Sequence, residues 1–143
     1  VGSEMCIRDR CKGPADMDDF RMKFDSLEEQ QEDPDSIYNY VKQVIRVRNQ
    51  NPVIARGTTA YLEQYSGEQC FALTRSYEGS NLLLLGNTSA EAVSVDLTGL
   101  TVGGTTAEEL VLLGELYTGE ETAERAGTVV TLPAYSILIL GEE

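Results

Sequence analysis

Carboxylates are the most closely spaced side chains in this sequence that could carry out chemistry. Asp16, Asp18 and Asp19 follow a Gly13-Pro14 loop signal. Aspartate oxygens suit Ca²⁺, but the spacing lacks the glycine and the distal glutamate of an EF-hand loop. We therefore expect a solvated acidic loop here and predict no metal site.

The absence of histidine argues against a serine triad. The chain of 143 residues contains no histidine, the residue that most often serves as a general base or metal ligand near neutral pH. Ser66, Ser76 and Ser136 therefore have no imidazole to activate them, which excludes a serine triad.

The cysteines predict neither a disulfide framework nor a zinc site. There are three, Cys6, Cys11 and Cys70, an odd number without regular spacing. Cys70 alternates with apolar neighbours, which is typical of a small buried residue.

Tyrosine is the aromatic residue that could contact a sugar, because the chain has no tryptophan. Tyr61, Tyr65 and Tyr77 could form a strip on which sugar rings stack. Tyrosines in strands usually pack across to a neighbouring strand, and we expect packing here. The sequence alone therefore assigns no substrate-binding residue.

The charge pattern argues against a nucleic-acid partner. The formal net charge is −13, and phosphates would be repelled by such a surface. Acids outnumber bases over 11–36, whereas 37–56 has four bases and no acid, and only Arg75 and Arg125 oppose the acids of 57–143. No apolar run approaches the ~20 residues that span a bilayer, so we expect a solvated surface and no membrane span.

One amphipathic helix is predicted after the acidic segment. Asp33 is a plausible N-cap and Pro34 suits the first helical position. A spacing of three and four residues then places apolar side chains on one side of the helix: Ile37, Val41, Val44 and Ile45. Asn51-Pro52 should end this helix.

From Gly57 onward the pattern changes to short strands separated by turn residues. Val93, Val95 and Leu97 alternate with polar residues, as in a half-buried strand. Seven strands are predicted, at 59–65, 69–77, 81–86, 92–97, 109–113, 128–132 and 135–140. This number and spacing indicate a mainly β protein with an antiparallel sandwich or barrel.

The first ten residues, VGSEMCIRDR, show no periodicity and no apolar signal-peptide core. They are similar to translated library-adapter sequence at the ends of metagenomic reading frames. We therefore expect 1–10 to be a non-native segment, with the gene cut near Cys11. A genuine disordered N-terminus is the alternative.

Four short segments resemble one enzyme family. They are KGPADMD from Lys12, with DPDSIYNY from Asp33, and IRVRNQNP from Ile45, followed by ARG at Ala55. These segments resemble the α-amylase family, glycoside hydrolase family 13, as does the tail LPAYSILIL from Leu132. The resemblance implies that 11–56 form the loop and last helix of a truncated (β/α)8 barrel. It likewise implies that 57–143 form domain C, a C-terminal β-sandwich of Greek-key type with about seven strands.

The resemblance also implies what the chain lacks. The family cleaves α-glucosidic bonds with retention, using an Asp nucleophile, a Glu acid/base and a further Asp at the top of a barrel of about 250 residues. Those residues come from earlier strands, so no catalytic residue is carried over. The loop at Asp16 lies on the catalytic face in the family, which makes a substrate-side contact a minor alternative. Val47 stands where the family usually has Leu, and nothing before Lys12 resembles the eighth barrel strand.

The expected role is therefore that of a non-catalytic support within a larger α-glucan-active hydrolase. Its partner would be its own missing barrel, and it would meet α-glucan only through the parent. No cofactor is expected in this chain, although calcium could belong to the parent. A stand-alone glycan-binding or interaction module is the alternative. An extracellular or cell-surface parent is slightly favoured over a cytoplasmic one.

Overall fold

The computed structural model describes residues 25–142. They fall into two compact units, one ending at Lys42 and the other beginning at Gln43. The predicted adapter segment, the Asp16 loop, Cys6 and Cys11 lie outside the described residues.

The first unit contains a short helix that we did not predict. Helix α1 spans Leu27–Glu32. A capping box begins the helix: the Ser26 hydroxyl accepts from the Glu29 N–H at 3.3 Å, and the Glu29 carboxylate accepts from the Ser26 N–H at 2.8 Å. This Ser-x-x-Glu signal was readable in the sequence.

The predicted amphipathic helix is confirmed as α2, Ile37–Gln50, and the boundary between the two units falls within it. Its start differs from the prediction. Ser36 caps it, accepting from the Asn39 N–H at 3.3 Å, whereas Asp33 lies at the C-terminal end of α1. Asp33 instead accepts from the Asp35 N–H at 3.0 Å, which holds the turn between the helices.

Pro52 follows one helix and starts another. Helix α2 ends at Gln50 as predicted, but α3 spans Pro52–Arg56 with the proline in its first turn. That position tolerates the missing N–H because the first helical N–H groups have no intrahelical partner. The described residues therefore contain three α-helices, where one was predicted.

All seven predicted strands are present, and three short ones were missed. The first ends at Tyr61, and Glu63–Tyr65 form a 3₁₀ turn. The missed strands are β5, β6 and β8, of two or three residues each. The strands are β1 Thr58–Tyr61, β2 Cys70–Tyr77, β3 Ser80–Asn87, β4 Val93–Asp96, β5 Thr101–Val102, β6 Thr105–Thr106, β7 Val111–Leu116, β8 Glu124–Ala126, β9 Val129–Leu132 and β10 Ile137–Gly141.

The second unit is an antiparallel β-sandwich, which confirms the predicted fold class. A five-stranded sheet has the order β1-β2-β3-β10-β7, a three-stranded sheet has the order β4-β9-β8, and β5 pairs with β6 as a hairpin. Buried residues of both sheets form one core, including Ala72, Leu83, Leu85, Val95, Val130, Leu132, Leu138 and Leu140. Cys70 is free, half-buried and packed against this core.

The five-stranded sheet also packs apolar residues on its outer face, the face turned away from the three-stranded sheet. Leu82 and Ile139 are buried there against Val53 of α3, and Val47 of α2 packs on the same cluster. Because both faces of β3 are covered, its apolar run of four leucines is continuous rather than alternating.

Candidate functional site

The serines considered for nucleophilic chemistry make structural hydrogen bonds instead. The Ser66 hydroxyl donates to Leu62 O at 2.8 Å, and the Ser136 hydroxyl donates to Pro133 O at 2.7 Å. The Ser76 hydroxyl donates to the Asn81 side chain at 2.7 Å. Within 25–142, no three His, Cys, Asp or Glu side chains are grouped so that they could hold a metal ion.

The three candidate tyrosines do not form one strip. Tyr65 packs against the core between the sheets and donates its hydroxyl to Thr98 O at 3.2 Å. Tyr77 packs in the outer-face cluster, where the Arg56 guanidinium lies 6.0 Å from its ring centroid. Tyr61 is 60% exposed. Packing therefore accounts for Tyr65 and Tyr77, whereas Tyr61 remains available to a partner.

Tyr61 lies on the outer face of the five-stranded sheet. Its Cα partner is Leu73, whose own partner on the next strand is Leu84, and directly paired residues point to the same side. Phe71 shares this face because it precedes Leu73 by two residues, and its ring lies over Gly86. We call Tyr61, Phe71 and Leu73 the outer patch.

An arginine fastens the helical segment to this face. Arg75 donates through Nε to Val53 O at 3.1 Å and through Nη2 to Gly57 O at 2.6 Å, and its Nη1 donates to the Thr59 hydroxyl at 2.8 Å. These bonds join the end of α3 to β1 and β2. By register, the outward positions of this sheet carry Arg75 but no carboxylate.

Helix α2 exposes most of its predicted apolar stripe. Ile37, Val41 and Ile45 are 70%, 46% and 51% exposed, and Val44 is half-buried. Arg48 lies on the same side, since it follows Ile45 by three residues and Val41 by seven. Grouped exposed apolar residues of this kind mark interaction surfaces.

An open acidic cleft lies elsewhere in the sandwich unit. Its volume is about 440 Å³, and it is lined by Ala92, Glu120, Glu121, Thr122, Glu124, Thr131 and Pro133. The sequence reasoning did not find this cleft because β8, which supplies Glu124, was not predicted. Glu120, Glu121 and Glu124 make the cleft acidic, and no basic residue is among those that line it.

Four described titratable groups have displaced pKa values. Hydrogen bonds from Ser26 and Thr106 lower the pKa values of Glu29 and Glu109, and Asp96 and Tyr117 are the other two. The Thr98 hydroxyl and N–H, followed by the Thr128 hydroxyl, hold the pKa of Asp96 below its ordinary value of 3.8. Burial, together with the neighbouring Glu115 carboxylate, raises the pKa of Tyr117 above 10.0. Asp96 and Tyr117 both make hydrogen bonds that hold nearby turns. Asp96 accepts from the N–H and hydroxyl of Thr98, and the Tyr117 hydroxyl donates to Glu115 and accepts from the Ala123 N–H. Neither is placed for proton transfer.

The chain is similar to several solved structures. No family model matches the chain, and no curated protein matches it significantly. Eubacterium rectale Amy13B is 36% identical over 93% of this chain and 24% of its own, with a TM-score of 0.78. The α-amylase from H. orenii is 23% identical over 84% and 23%, with a TM-score of 0.64.

A third similar structure is a synthase. The trehalulose synthase MutB from Pseudomonas mesoacidophila is 25% identical over 80% of this chain and 19% of its own, with a TM-score of 0.61. The chain thus spans about a quarter or less of the length of these relatives. The resemblance found in the sequence is confirmed, and the chain is recognised as a portion of an α-amylase-family protein, glycoside hydrolase family 13.

Proposed function

We propose that this chain is the C-terminal portion of an α-glucan-active glycoside hydrolase and that its sandwich supports a catalytic barrel without contributing catalytic residues. The observation that carries the proposal is the likeness to Amy13B, which extends over 93% of this chain but only 24% of that protein. About three quarters of such a protein therefore lies outside the match and has room for a barrel.

The exposed stripe of α2 supports the same proposal on physical grounds. Ile37, Val41 and Ile45 expose apolar surface to water, and covering such surface contributes about 25 cal/mol per Å². The last helix of a (β/α)8 barrel would bury this stripe against the barrel strands. In this assignment 11–56 belong to the barrel and 57–143 to domain C.

The chemistry would then belong to the remainder of the protein. Retaining glycosidases use two carboxyl groups roughly 5–5.5 Å apart, one as nucleophile and one as acid and base. Two described carboxylates serve local structure, since Glu29 accepts from the Ser26 N–H and Glu109 accepts from the Thr106 N–H and hydroxyl, which supports placing that pair elsewhere in the protein. The contribution of this chain would be stability and the placement of the last helix.

A domain exchange tests this role. The chain would replace the matched quarter of Amy13B, and hydrolysis of a maltooligosaccharide would be measured for the chimera, for unmodified Amy13B and for the chain alone. We expect a chimera with activity within about tenfold of the unmodified protein, a difference of ~1.4 kcal/mol in the activation barrier. The chain alone should be inactive.

Two outcomes would contradict the proposal. One is hydrolysis by the purified chain alone, which would place catalytic residues within it. The other is an inactive chimera together with maltoheptaose binding by the chain alone, which would favour the stand-alone glycan-binding module. An Amy13B lacking the matched quarter is the control, and it should lose both soluble expression and activity.

A further inference from the structure

Asn87 begins an asparagine-x-serine motif, the pattern that marks an asparagine as an acceptor for N-glycosylation. The motif reads Asn87-Thr88-Ser89, and none of the other asparagines of the chain has a serine or threonine two residues later. Such a motif is normally glycosylated in a surface loop. Asn87, however, is 3% exposed at the end of β3. The fold therefore encloses the acceptor motif of this chain.

The side-chain nitrogen of Asn87 has no hydrogen to spare. Its NH₂ group carries two hydrogens, and three carbonyl oxygens lie within hydrogen-bond distance of it: Glu91 O at 2.7 Å, Pro133 O at 2.9 Å and Leu132 O at 3.2 Å. A glycan on this nitrogen would replace one hydrogen with a bulky sugar ring. Carbonyl groups would then lose their donor inside the protein, which is unfavourable.

The serine of the motif is bound to the same side chain. The Ser89 N–H donates to the Asn87 side-chain oxygen at 2.9 Å, and the Ser89 hydroxyl lies 2.8 Å from that oxygen. This arrangement is an Asx turn, which folds the motif back on itself. The motif requires a hydroxyl two residues after the asparagine, so both groups that define the acceptor are already engaged within the folded chain.

We propose that Asn87 is an N-glycan acceptor only while the chain is unfolded, and that a glycan at Asn87 and the folded sandwich exclude each other. The co-reactant is an oligosaccharide carried on a lipid diphosphate. The Asn87 nitrogen forms a bond to C1 of the first sugar as the bond from C1 to the phosphate oxygen breaks. The amide loses one proton, and the lipid diphosphate leaves. This inference does not depend on the proposed function.

A transferase assay tests the first half of the proposal. The folded chain and a Leu83→Asp variant would be incubated with a lipid-linked oligosaccharide and an oligosaccharyltransferase, and modification would be followed by intact mass. Leu83 is fully buried in the core, so an aspartate there should keep the chain unfolded. We expect the unfolded variant to be modified at least about tenfold faster than the folded chain. A peptide of residues 83–93 serves as the unfolded acceptor if the variant still folds.

An exposed acceptor provides the matched control. Glu120→Asn creates the same kind of motif with Thr122, and both positions are exposed. It would be combined with Ser89→Ala, which removes the Asn87 motif. This double variant should be modified while folded, which shows that the enzyme accepts a folded chain. Ser89→Ala alone should remain unmodified, both in the folded chain and in the chain unfolded by Leu83→Asp.

A protease assay tests the second half of the proposal. The chain, fused to a cleavable secretion signal, would be translated with microsomes so that the motif meets the transferase before the sandwich forms. We expect glycosylated chains to be digested at least about tenfold faster than unglycosylated ones, because they cannot close the fold around Asn87. In the Glu120→Asn, Ser89→Ala control, glycosylated and unglycosylated chains should be digested equally.

Three results would overturn the inference. The first is modification of Asn87 in the folded chain as fast as in the unfolded variant. The second is a glycosylated chain that resists the protease as well as the unglycosylated chain does. The third is the absence of modification in both the unfolded variant and the peptide, because Asn87 would then not be an acceptor in any state.

Discussion

At the scale of single residues, the sandwich is stabilised by polar side chains that donate hydrogen bonds to several backbone carbonyl groups. Asn87 is 3% exposed, and its amide donates to Glu91 O at 2.7 Å, to Pro133 O at 2.9 Å and to Leu132 O at 3.2 Å. Its side-chain oxygen accepts from the N–H and the hydroxyl of Ser89. One side chain thus links the end of β3 to the segment after β9.

Asn87→Ala should lower the free energy of unfolding by about 2–4 kcal/mol, since several buried groups would lose their hydrogen bonds at once. Thr88→Ala is the matched control, because Thr88 is exposed and its hydroxyl makes one 3.1 Å bond to Gln69 O. That control should change stability by under about 1 kcal/mol. Urea unfolding of the two variants measures both effects, and equal losses would refute the role given to Asn87.

The pH dependence of Asp96 provides a second prediction at this scale. Its pKa is lowered in the folded state, chiefly by the Thr98 hydroxyl, so the unfolded chain binds the proton more readily. The associated stability is present above the ordinary value of 3.8 and is lost as pH falls through the lower folded pKa.

Thr98→Val removes the hydroxyl donor and should move the pKa of Asp96 upward toward its ordinary value. An NMR titration of the Asp96 carboxyl measures this change. Thr101→Val, at another exposed threonine, is the control and should leave that titration unchanged. An unshifted Asp96 titration in the Thr98 variant would show that other groups hold the pKa down.

At the scale of elements, close packing between β2 and β3 depends on a missing side chain. A Cβ built on Gly86 would lie 2.2 Å from the Phe71 ring. Because Gly86 has no side chain, the Phe71 ring can pack over it on the neighbouring strand, where the two residues are directly paired.

Gly86→Ala should destabilise the chain by about 1–3 kcal/mol, the usual range for overpacking. Gly119→Ala, where no atom lies within 4 Å of the new Cβ, should be nearly neutral. Adding Phe71→Leu should recover part of the loss, because a smaller side chain makes room. Thermal unfolding compares the three variants, and full stability of Gly86→Ala would mean that the ring moves away at no cost.

Sequence patterns predicted the long elements better than the short ones. The alternation of Val93, Val95 and Leu97 and the spacing within α2 were sufficient, because each repeats over several residues. Strands β5, β6 and β8 have too few residues to show a period. Helix α1 has six residues, and its capping box was the one sequence signal that indicated it.

The tyrosines show what no local pattern could predict. Tyr61, Tyr65 and Tyr77 look equivalent in sequence, yet they lie in three different environments because sheet pairing and the 3₁₀ turn decide which face each occupies. The outer patch likewise emerges only when β1, β2 and β3 are paired. The family resemblance, in contrast, was readable from the motifs around α2.

At the scale of the whole molecule, the described residues leave two apolar surfaces uncovered. The sandwich has a complete core between its sheets, but the stripe of α2 and the outer patch remain exposed. Within 25–142, no buried side-chain polar atom lacks a hydrogen bond. The polar groups of the interior are therefore all paired, whereas part of the apolar surface is exposed to solvent. Exposed apolar surface of this kind is typical of a protein that docks onto a partner.

The most direct test is to sequence the genomic DNA upstream of the Cys11 codon in the organism that carries the gene. The account predicts an open frame that continues upstream through strand–helix repeats of a barrel of about 250 residues, with the Asp and Glu pair of a retaining glycosidase. A frame that instead starts at Met5 behind a promoter would contradict it, and would leave a free-standing sandwich in need of another function.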